Sequence, residues 1–473
     1  MSQDFPQGPA PTAAAAALGA GRLALGESFR LHRPRGAFCH AGWCQQCRVT
    51  LPDGRIALAC RTAVAPRRIG YSWRRLLGRI ADSLPPWFYE QRLLRPRALR
   101  QFYLERLRRF SAAPALPGAA APVAGAWRER RCEVLVVGGG LAGLAEARTR
   151  RAAGRDVLLV EAEASLGGRA RFQPAMADAL AQALSDSGPH LLATLCAGLY
   201  EQARQALLIG PGGPTLLAFQ ELVVATGAYD RLPGFAGNDL PGIIGLRAFE
   251  RLVAGGLPEA WRVGLIADAE HAAAALATGA RFAWIAGPGD LPATSGQRFP
   301  GSTLLAAEGR HAIAAVRLDP GGRQTCDLLV IGFDQPTYEL QMQAGQQAML
   351  AGSPAVVLTT GEPIIPMTVV GDAALRPPLP IRPAAAASSR AFLCLCEDVR
   401  RRDAEAAIAD GFADVELLKR RTGAGTGPCQ GKLCHAEMLV CLAEAGRPVA
   451  LPTVRPLLRP VTLAELAATE GEP

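Results

Sequence analysis

A glycine-rich turn between a predicted strand and a predicted helix constrains the fold of this 473-residue chain more than any other feature. Residues 132–137 (CEVLVV) are mainly apolar, residues 138–143 read GGGLAG, and a helix-like run continues to Ala153. In such a turn the first glycine reverses the chain, the second lets the backbone approach a pyrophosphate, and the third allows close packing of helix on strand. A second strand at 156–160 ends in Glu161, where a carboxylate binds an adenosine ribose. The pattern predicts a Rossmann-type dinucleotide site that includes Gly138, Gly140, Gly143 and Glu161.

Three later segments indicate which dinucleotide is bound. They are GGR at 167–169, ELVVATG at 221–227 and TVVGD at 368–372. These segments resemble landmarks of the two-dinucleotide-domain flavoproteins related to glutathione reductase, in which the final aspartate holds the ribityl–phosphate region of the flavin. The resemblance implies FAD, with further contacts from Gly168, Arg169, Thr226, Gly227, Gly371 and Asp372.

Flavoproteins of this kind usually insert a second dinucleotide domain, for NAD(P)H, between the last two landmarks. Here the corresponding strand is 262–267 (RVGLIA), Asp268 follows it, and only Gly264 remains of a glycine fingerprint. Without the other glycines, side chains occupy the space that a pyrophosphate needs. We expect the second domain to persist as a scaffold that has lost NAD(P)H binding.

Eight of the 12 cysteines form two sets of four, one near each end of the chain. The N-terminal cysteine set consists of Cys39, Cys44, Cys47 and Cys60. Its C-x4-C-x2-C spacing matches the plant-type loop that wraps a [2Fe-2S] cluster, and residues 47–60 read as a hairpin with a turn at Asp53 and Gly54. The spacing favours a [2Fe-2S] cluster, with a structural zinc site or free thiols as the alternatives.

The C-terminal cysteine set consists of Cys394, Cys396, Cys429 and Cys434. Short helical segments are predicted between its two halves, at 403–410 and 415–420. Backbone amides near the sulfurs tune the potential of a cluster, and four glycines are suited to expose them: Gly423, Gly425, Gly427 and Gly431. The residues alone leave iron–sulfur and zinc both open.

The other cysteines and two neighbouring histidines receive simpler interpretations. The remaining thiols lie in apolar stretches and are predicted to be small core residues: Cys132, Cys196, Cys326 and Cys441. His40 lies inside the N-terminal cysteine loop and His435 follows Cys434, and we expect both to be surface imidazoles.

The formal charge of +9 comes from one segment. Residues 61–109, the arginine belt, carry 13 arginines against Asp82, Glu90 and Glu105. Such a belt suits docking to an acidic partner, a membrane surface or nucleic acid, but no nucleic-acid-binding motif accompanies it. We therefore interpret it as a solvated linker that faces a partner.

Four further segments carry a more specific resemblance: residues 28–36, 225–231, 238–242 and 419–431. From about Gly21 to Ala445 the chain resembles the α subunits of heteromeric sarcosine oxidase, of opine and D-hydroxyproline dehydrogenases, and of bacterial hydrogen cyanide synthase. That resemblance implies a second [2Fe-2S] cluster in a C-terminal domain like bacterioferritin-associated ferredoxin. The ferredoxin-like domain of these proteins starts with a hairpin before its first helix. Here residues 12–19 already match the helix, so the hairpin is expected to be missing, either because the start is truncated or misassigned or because the domain is incomplete.

The predicted fold class is α/β. A two-dinucleotide-binding-domain flavoprotein core of the glutathione-reductase type is flanked by an N-terminal ferredoxin-like [2Fe-2S] domain and a C-terminal helical domain like bacterioferritin-associated ferredoxin. The expected boundaries are 1–78 for the ferredoxin-like domain, 79–130 for the basic linker, 131–242 with 328–375 for the FAD-binding domain, 243–327 for the degenerate second domain, 376–390 for a proline-rich linker, and 391–473 for the C-terminal domain and tail.

The resemblance implies an electron-transfer α subunit of a flavin-dependent amine or amino-acid dehydrogenase. Its cofactors would be FAD, two [2Fe-2S] clusters and, at a subunit interface, FMN. Its partners would be an FAD-containing β subunit of the D-amino-acid-oxidase-like type and an acceptor such as a quinone or redox carrier, with no nucleic acid.

Two other classes remain open: a self-contained NAD(P)H-dependent ferredoxin-type reductase, and a non-catalytic assembly scaffold. The chain has no uninterrupted apolar run of about 18 residues, and its start lacks the basic segment of a secretory signal. We expect a cytoplasmic protein, with association at the inner face of the membrane left open.

Overall fold

The structure, a computed structural model, describes residues 12–28, 30–52, 56–63, 127–255, 260–351, 356–360, 362–374, 390–447, 449–461 and 466. Several expectations lie outside these residues: the missing first hairpin, the turn at Asp53 and Gly54, the arginine belt beyond residue 63 and the linker at 376–389.

Along the chain, the N-terminal part contains α1 (Ala13–Gly19), β1 (Gly26–Glu27), β2 (Pro34–Arg35), β3 (Arg48–Thr50) and β4 (Ile56–Leu58). The next part contains β5 (Arg128–Arg131), β6 (Val134–Val137), α2 (Leu141–Ala152), β7 (Val157–Val160), α3 (Ala177–Leu184), β8 (His190–Leu191), β9 (Leu195–Tyr200), β10 (Gln205–Gly210), β11 (Gly213–Ala218), β12 (Glu221–Val224) and β13 (Ala228–Asp230).

The second half begins with β14 (Ile243–Gly245), α4 (Leu246–Ala254), β15 (Val263–Ala267), α5 (Ala269–Leu276), β16 (Trp284–Gly287), β17 (Gln297–Pro300), β18 (Thr303–Glu308), β19 (Ala315–Asp319), β20 (Gly322–Thr325) and β21 (Leu328–Gly332). It continues with β22 (Asp334–Pro336), α6 (Glu339–Gln343), β23 (Gln347–Ala351), β24 (Val356–Thr360), β25 (Met367–Val369), β26 (Phe392–Cys394), β27 (Val399–Arg400), α7 (Arg401–Ala409), α8 (Val415–Thr422) and α9 (His435–Glu444).

Two parallel sheets of the same design form the framework. The first has the order β25-β12-β6-β7-β8 and the second the order β14-β21-β15-β16-β17. Each is accompanied by a small sheet with antiparallel strands, β9–β11 together with β5 in the first unit and β18–β20 in the second. Strands β6 and β21 are buried along their whole length, as apolar strands in the middle of parallel sheets are. The predicted α/β fold with two dinucleotide-type units is confirmed.

One predicted boundary needs correction. The expected return to the FAD-binding domain at residue 328 is too early, because β21 pairs with β14 and β15 in the second sheet. The sequence of such an apolar strand is compatible with either parallel sheet, so it does not predict which sheet the strand joins. The chain rejoins the first sheet only at β25, which pairs with β12.

The N-terminal part packs against the second unit. Helix α1 starts after Thr12, whose hydroxyl accepts a hydrogen bond from the Ala15 amide at 3.2 Å, and its Leu18 lies in the core of the second unit. Strands β3 and β4 form the predicted hairpin. Cys60 lies just beyond it, in the 3-10 turn Ala59–Arg61 rather than on a strand.

Candidate functional site

The glycine turn after β6 has the geometry that its sequence predicts. Gly138 has a φ of +111°, and a Cβ there would lie 2.2 Å from the Ala225 carbonyl oxygen. A Cβ on Gly143 would lie 2.0 Å from the Gly138 carbonyl oxygen, so only glycine lets α2 pack this closely. A Cβ on Gly140 would meet nothing within 4 Å. The turn is therefore closed on its protein side and open at Gly140, as the approach of a pyrophosphate requires.

Glu161 lies at the end of β7, beside this turn. Its carboxylate accepts hydrogen bonds from the amides of Gly139 and Glu163, each at 2.7 Å. Burial raises its pKa, although these two amides act in the opposite direction. The carboxylate is thus held in place at the position expected for a ribose ligand.

The other predicted contacts meet at the same edge of the first sheet. Thr226 and Gly227 follow β12, and Gly371 and Asp372 follow β25. Because β6, β12 and β25 are neighbours in a parallel sheet, the ends of all three face one crevice. Gly168 also reaches it, since a Cβ there would lie 3.0 Å from the Gly140 Cα.

Arg169 follows Gly168 at this edge of the sheet, but its guanidinium is already paired with a carboxylate of the same chain. Its Nε and Nη2 both donate to the Glu250 carboxylate at 2.7 Å, and the Glu250 side chain is fully buried. This bidentate pair joins the first unit to α4 of the second.

Arg247, a residue outside the sequence predictions, connects Asp372 to the second unit. Its guanidinium donates to Asp372 at 3.0 Å, forms a short ion pair with Asp334, and lies 3.6 Å from Asp230. Burial raises the pKa of Asp230 to about 7, against the lowering effect of Arg247. No motif marks Arg247, because its role arises from carboxylates that are distant in sequence.

The second unit has no glycine turn at the matching place. Gly264 lies inside β15, where a Cβ would lie 2.1 Å from the Trp284 ring, so it is a packing residue and not a remnant of a fingerprint. Asp268 alone separates β15 from α5, and its carboxylate accepts from the His271 amide at 2.9 Å. A carboxylate therefore occupies the helix N-terminus where a pyrophosphate would bind.

The N-terminal cysteine set is buried and mutually connected. The thiols of Cys44 and Cys60 are hydrogen-bonded to Cys39, and Cys60 also to Cys47. The amides of Ala41 and Cys44 donate to the Cys39 sulfur, each at 3.4 Å. Burial opposes ionisation of Cys39, yet these hydrogen bonds lower its pKa well below the usual value. Two neighbouring pairs, Cys39 with Cys44 and Cys47 with Cys60, suit two irons with two thiolates each.

The C-terminal cysteine set is connected in the same way. Cys394 is hydrogen-bonded to Cys434 and to Cys396, and Cys396 also to Cys429. The Gly425 amide donates to the sulfurs of Cys394 and Cys434, which confirms the predicted exposure of an amide at that glycine. Within the described residues, no three His, Cys, Asp or Glu side chains surround one point as the ligands of a single ion do.

The two cysteine sets meet in the folded chain. Cys39 and Cys44 belong to the same cluster of buried residues as the whole C-terminal set, and the Gln46 side-chain amide donates to the Cys396 sulfur at 3.3 Å. Asn238 exchanges two hydrogen bonds with the Phe392 backbone, at 2.9 and 3.0 Å, two residues before Cys394. The flavoprotein framework thus holds the C-terminal set against the N-terminal loop.

The two histidines beside these sets are buried, so the expected surface imidazoles are wrong. His40 is 9% exposed and His435 is 5% exposed. Burial lowers the pKa of His40 to about 4. Burial, together with the charges of Lys419 and Lys432, lowers the pKa of His435 to about 3. The four remaining cysteines are core residues as predicted: Cys132, Cys196, Cys326 and Cys441.

A small cavity of about 50 Å³ lies beside the C-terminal cysteine set. Its lining includes Lys419, Lys432, His435, Tyr338 and Arg455, and the first two are the only lysines of the chain. Lys432 donates to the Leu458 carbonyl at 2.6 Å, and the His435 ring is hydrogen-bonded to the Tyr338 hydroxyl at 3.1 Å. Elsewhere, none of the helices in the described residues is long and apolar enough to cross a membrane.

Comparisons with known proteins match three segments to families. Residues 8–67 match a 2Fe-2S iron-sulfur cluster binding domain, residues 136–206 an NAD(P)-binding Rossmann-like domain, and residues 388–470 the sarcosine oxidase A3 domain. In fold, L-proline dehydrogenase from P. horikoshii aligns with a TM-score of 0.69 and 16% identity, over 96% of this chain and 94% of that chain. The likeness shows a shared fold.

Two of the curated relatives are named as subunits of oxidases. One subunit of the opine oxidase of Rhizobium meliloti is 35% identical over 79 residues, which are 16% of this chain and 17% of that protein. The sarcosine oxidase α subunit of the same organism is 26% identical over 96% of this chain, which spans only 56% of that protein's length. Along nearly its whole length, the chain is a homologue of the sarcosine oxidase α subunit.

Proposed function

We propose that the chain is the electron-transfer α subunit of a heteromeric, flavin-dependent amine or amino-acid dehydrogenase of the opine, hydroxyproline, sarcosine or glycine type. The observation that carries the proposal is the contact of two buried four-cysteine sets on a flavoprotein framework. Such an arrangement suits a chain that receives electrons and passes them on one at a time. The names of the relatives, subunits of sarcosine and opine oxidases, support the substrate class.

In this proposal the crevice at the first sheet holds FAD. The amides of the 138–143 turn and the start of α2 bind the pyrophosphate, Glu161 binds the adenosine ribose, and Asp372 binds the ribityl–phosphate region. Thr226, Gly227, Gly168 and Gly371 bring backbone close to the ligand. FAD, when bound, supplies a centre that takes up electron pairs and releases single electrons.

Each cysteine set holds one [2Fe-2S] cluster in this proposal. The thiols of each set are buried and hydrogen-bonded in pairs, and amides such as that of Gly425 donate to the sulfurs. Such donors help to offset the negative charge that buried thiolates bring to a cluster away from water.

The cavity beside the C-terminal cysteine set is our proposed anchor for the phosphate of FMN. Its volume fits one anionic group, so the flavin ring would lie outside it, at the interface with the partner. Lys419 and Lys432 supply the positive charge. FMN binding to the purified chain, followed by quenching of flavin fluorescence, should weaken in K419Q and K432Q but not in R420Q, because Arg420 is exposed, follows Lys419 on α8 and does not line the cavity. Equal affinity in all four proteins would exclude this anchor.

Substrate oxidation is assigned to an FAD-containing β subunit of the D-amino-acid-oxidase-like type. Electrons then leave the α subunit for a quinone or another redox carrier. We place the complex in the cytoplasm. Cell fractionation tests whether part of it is bound to the inner face of the membrane.

The test is co-expression with the neighbouring flavoprotein gene, purification of the complex, and a screen of amines and amino acids with a dye acceptor. We expect a stable complex and dye reduction by at least one secondary amine or amino acid. A chain that binds no flavoprotein partner, with a flavin that no substrate reduces, would contradict the proposal.

An NAD(P)H-dependent reductase is the alternative that the same preparation tests. Asp268 places a carboxylate where a nicotinamide dinucleotide would put its pyrophosphate, so we expect no bleaching of the flavin by NADH or NADPH under anaerobic conditions. Rapid bleaching would replace the proposal by the reductase. Purification without flavin and iron would favour an assembly scaffold.

A further inference from the structure

We propose that Gln46 sets the reduction potential of the centre at the C-terminal cysteine set and holds the two cysteine sets together. The inference rests on the proposed function, because it assumes an iron–sulfur centre at each set. It concerns a residue that lies in one domain and acts on the other.

The contact is specific in its atoms. Both Nε2 protons of Gln46 have partners, the Cys44 carbonyl oxygen at 3.2 Å and the Cys396 sulfur at 3.3 Å. Gln46 is 3% exposed, so water does not compete for either bond. One side chain therefore joins the backbone of the N-terminal loop to a sulfur that is 350 residues away in sequence.

A second set of contacts, independent of Gln46, joins the N-terminal segment to the loop that contains Cys396. Arg33 donates from Nε to the Asp398 carboxylate at 2.6 Å, and its Nη2 makes a short bond to the Leu395 carbonyl. The amides of Arg30 and Leu31 donate to the other oxygen of Asp398, at 3.0 and 2.9 Å. Cys396 lies between Leu395 and Asp398, so its position relative to Gln46 is determined from both sides.

The direction of the effect follows from charge. A hydrogen bond to a ligand sulfur stabilises the more negative, reduced form of an iron–sulfur centre, and does so most where water is excluded. Arg35, which is also buried, lies close enough to Cys396 to act in the same direction. Gln46 is thus a positioning residue whose removal should lower the potential of the C-terminal centre.

The experiment is an EPR-monitored redox titration of the full chain, reconstituted anaerobically, as wild type, Q46L and Q46E. Variants C60A and C429A assign each signal to its set. In Q46L we expect the equilibrium constant for reduction of the C-terminal centre to fall about tenfold, or about 59 mV for a one-electron couple, because a hydrogen bond to a charged group is lost. Q46E keeps the shape, loses the donor and adds negative charge, so it should lower the potential at least as far. If Q46L does not fold, the potential measured in Q46E tests the proposal in its place.

The control is Q430L. Gln430 is an exposed neighbour of Cys429 whose amide donates to the Gly427 carbonyl at 3.0 Å and not to a sulfur. It should leave both potentials unchanged. Two signals with unaltered potentials in Q46L and Q46E would overturn the role of Gln46. A wild-type chain that shows fewer than two iron–sulfur signals would instead overturn the two-cluster arrangement of the proposed function.

Discussion

Replacement of Asp398 by alanine should detach the N-terminal loop from the C-terminal cysteine set. The Asp398 side chain is fully buried, and its carboxylate accepts hydrogen bonds from Arg33 Nε and from the amides of Arg30 and Leu31. D398A leaves a buried guanidinium without its carboxylate and two amides without acceptors.

The magnitude follows from these three bonds. Removal of one partner of a buried ion pair costs about 3–5 kcal/mol, because the other charge stays buried and unpaired. Arg33 is 8% exposed, and its Nη1 lies 3.9 Å from the Asp239 carboxylate, which compensates little at that distance. We therefore expect local opening of residues 28–36 to become about 3 kcal/mol easier, or more than a hundredfold more frequent.

Hydrogen exchange followed by mass spectrometry measures this opening directly. The peptide that covers residues 28–36 should lose protection in D398A, whereas the core strands β6 and β21 should keep theirs. D414A is the matched control, since Asp414 is exposed and only caps α8 through the Leu417 amide at 2.9 Å. If D398A and D414A leave the exchange of residues 28–36 equally unchanged, the Asp398 contacts do not hold the loop.

Three shorter predictions concern other parts of the chain. G143A should reduce flavin content per chain more than tenfold by absorbance, because a Cβ there would lie 2.0 Å from a carbonyl oxygen, whereas G19A, with nothing within 4 Å, should retain flavin. Although burial opposes its charge, hydrogen bonds to two carboxylates raise the pKa of His271 to about 9, above the ordinary 6.5. Its contribution to stability, about 3 kcal/mol at most, should therefore be complete below pH 6.5 and disappear as pH rises through 9, and H271Q should remove this part of the pH dependence of urea unfolding. C47A should lose about half of the bound iron by colorimetric assay, whereas C132A should retain it all.

Local patterns were sufficient for the parts of the site that adjoin one another in sequence. The roles of Gly138, Gly140 and Gly143 follow from a strand, a turn and a helix in succession, and the structure gives each glycine the expected surroundings. The hairpin that leads to Cys60 and helices α7 and α8 were likewise predicted from short segments.

Features made by distant segments had no comparable signal. The sheet to which β21 belongs depends on its neighbours and not on its own apolar residues. The burial of His40 and His435 depends on which elements cover them. Their positions beside cysteines in the sequence do not predict this burial. Gln46 is one of two adjacent glutamines, and only the fold shows that it, and not Gln45, reaches a sulfur.

The second unit has a structural use that explains why it persists without a glycine turn. His271 on α5 is hydrogen-bonded to Asp268 and, at 3.1 Å, to Asp334, and Asp334 pairs with Arg247. Arg247 in turn holds Asp372, the residue assigned to the flavin. The carboxylate that blocks a second dinucleotide at α5 is therefore the far end of a charge network that orients the first site. Restoring a glycine at position 268 would remove that support without creating the missing turn, so D268G should weaken flavin binding and still fail to confer a response to NADH.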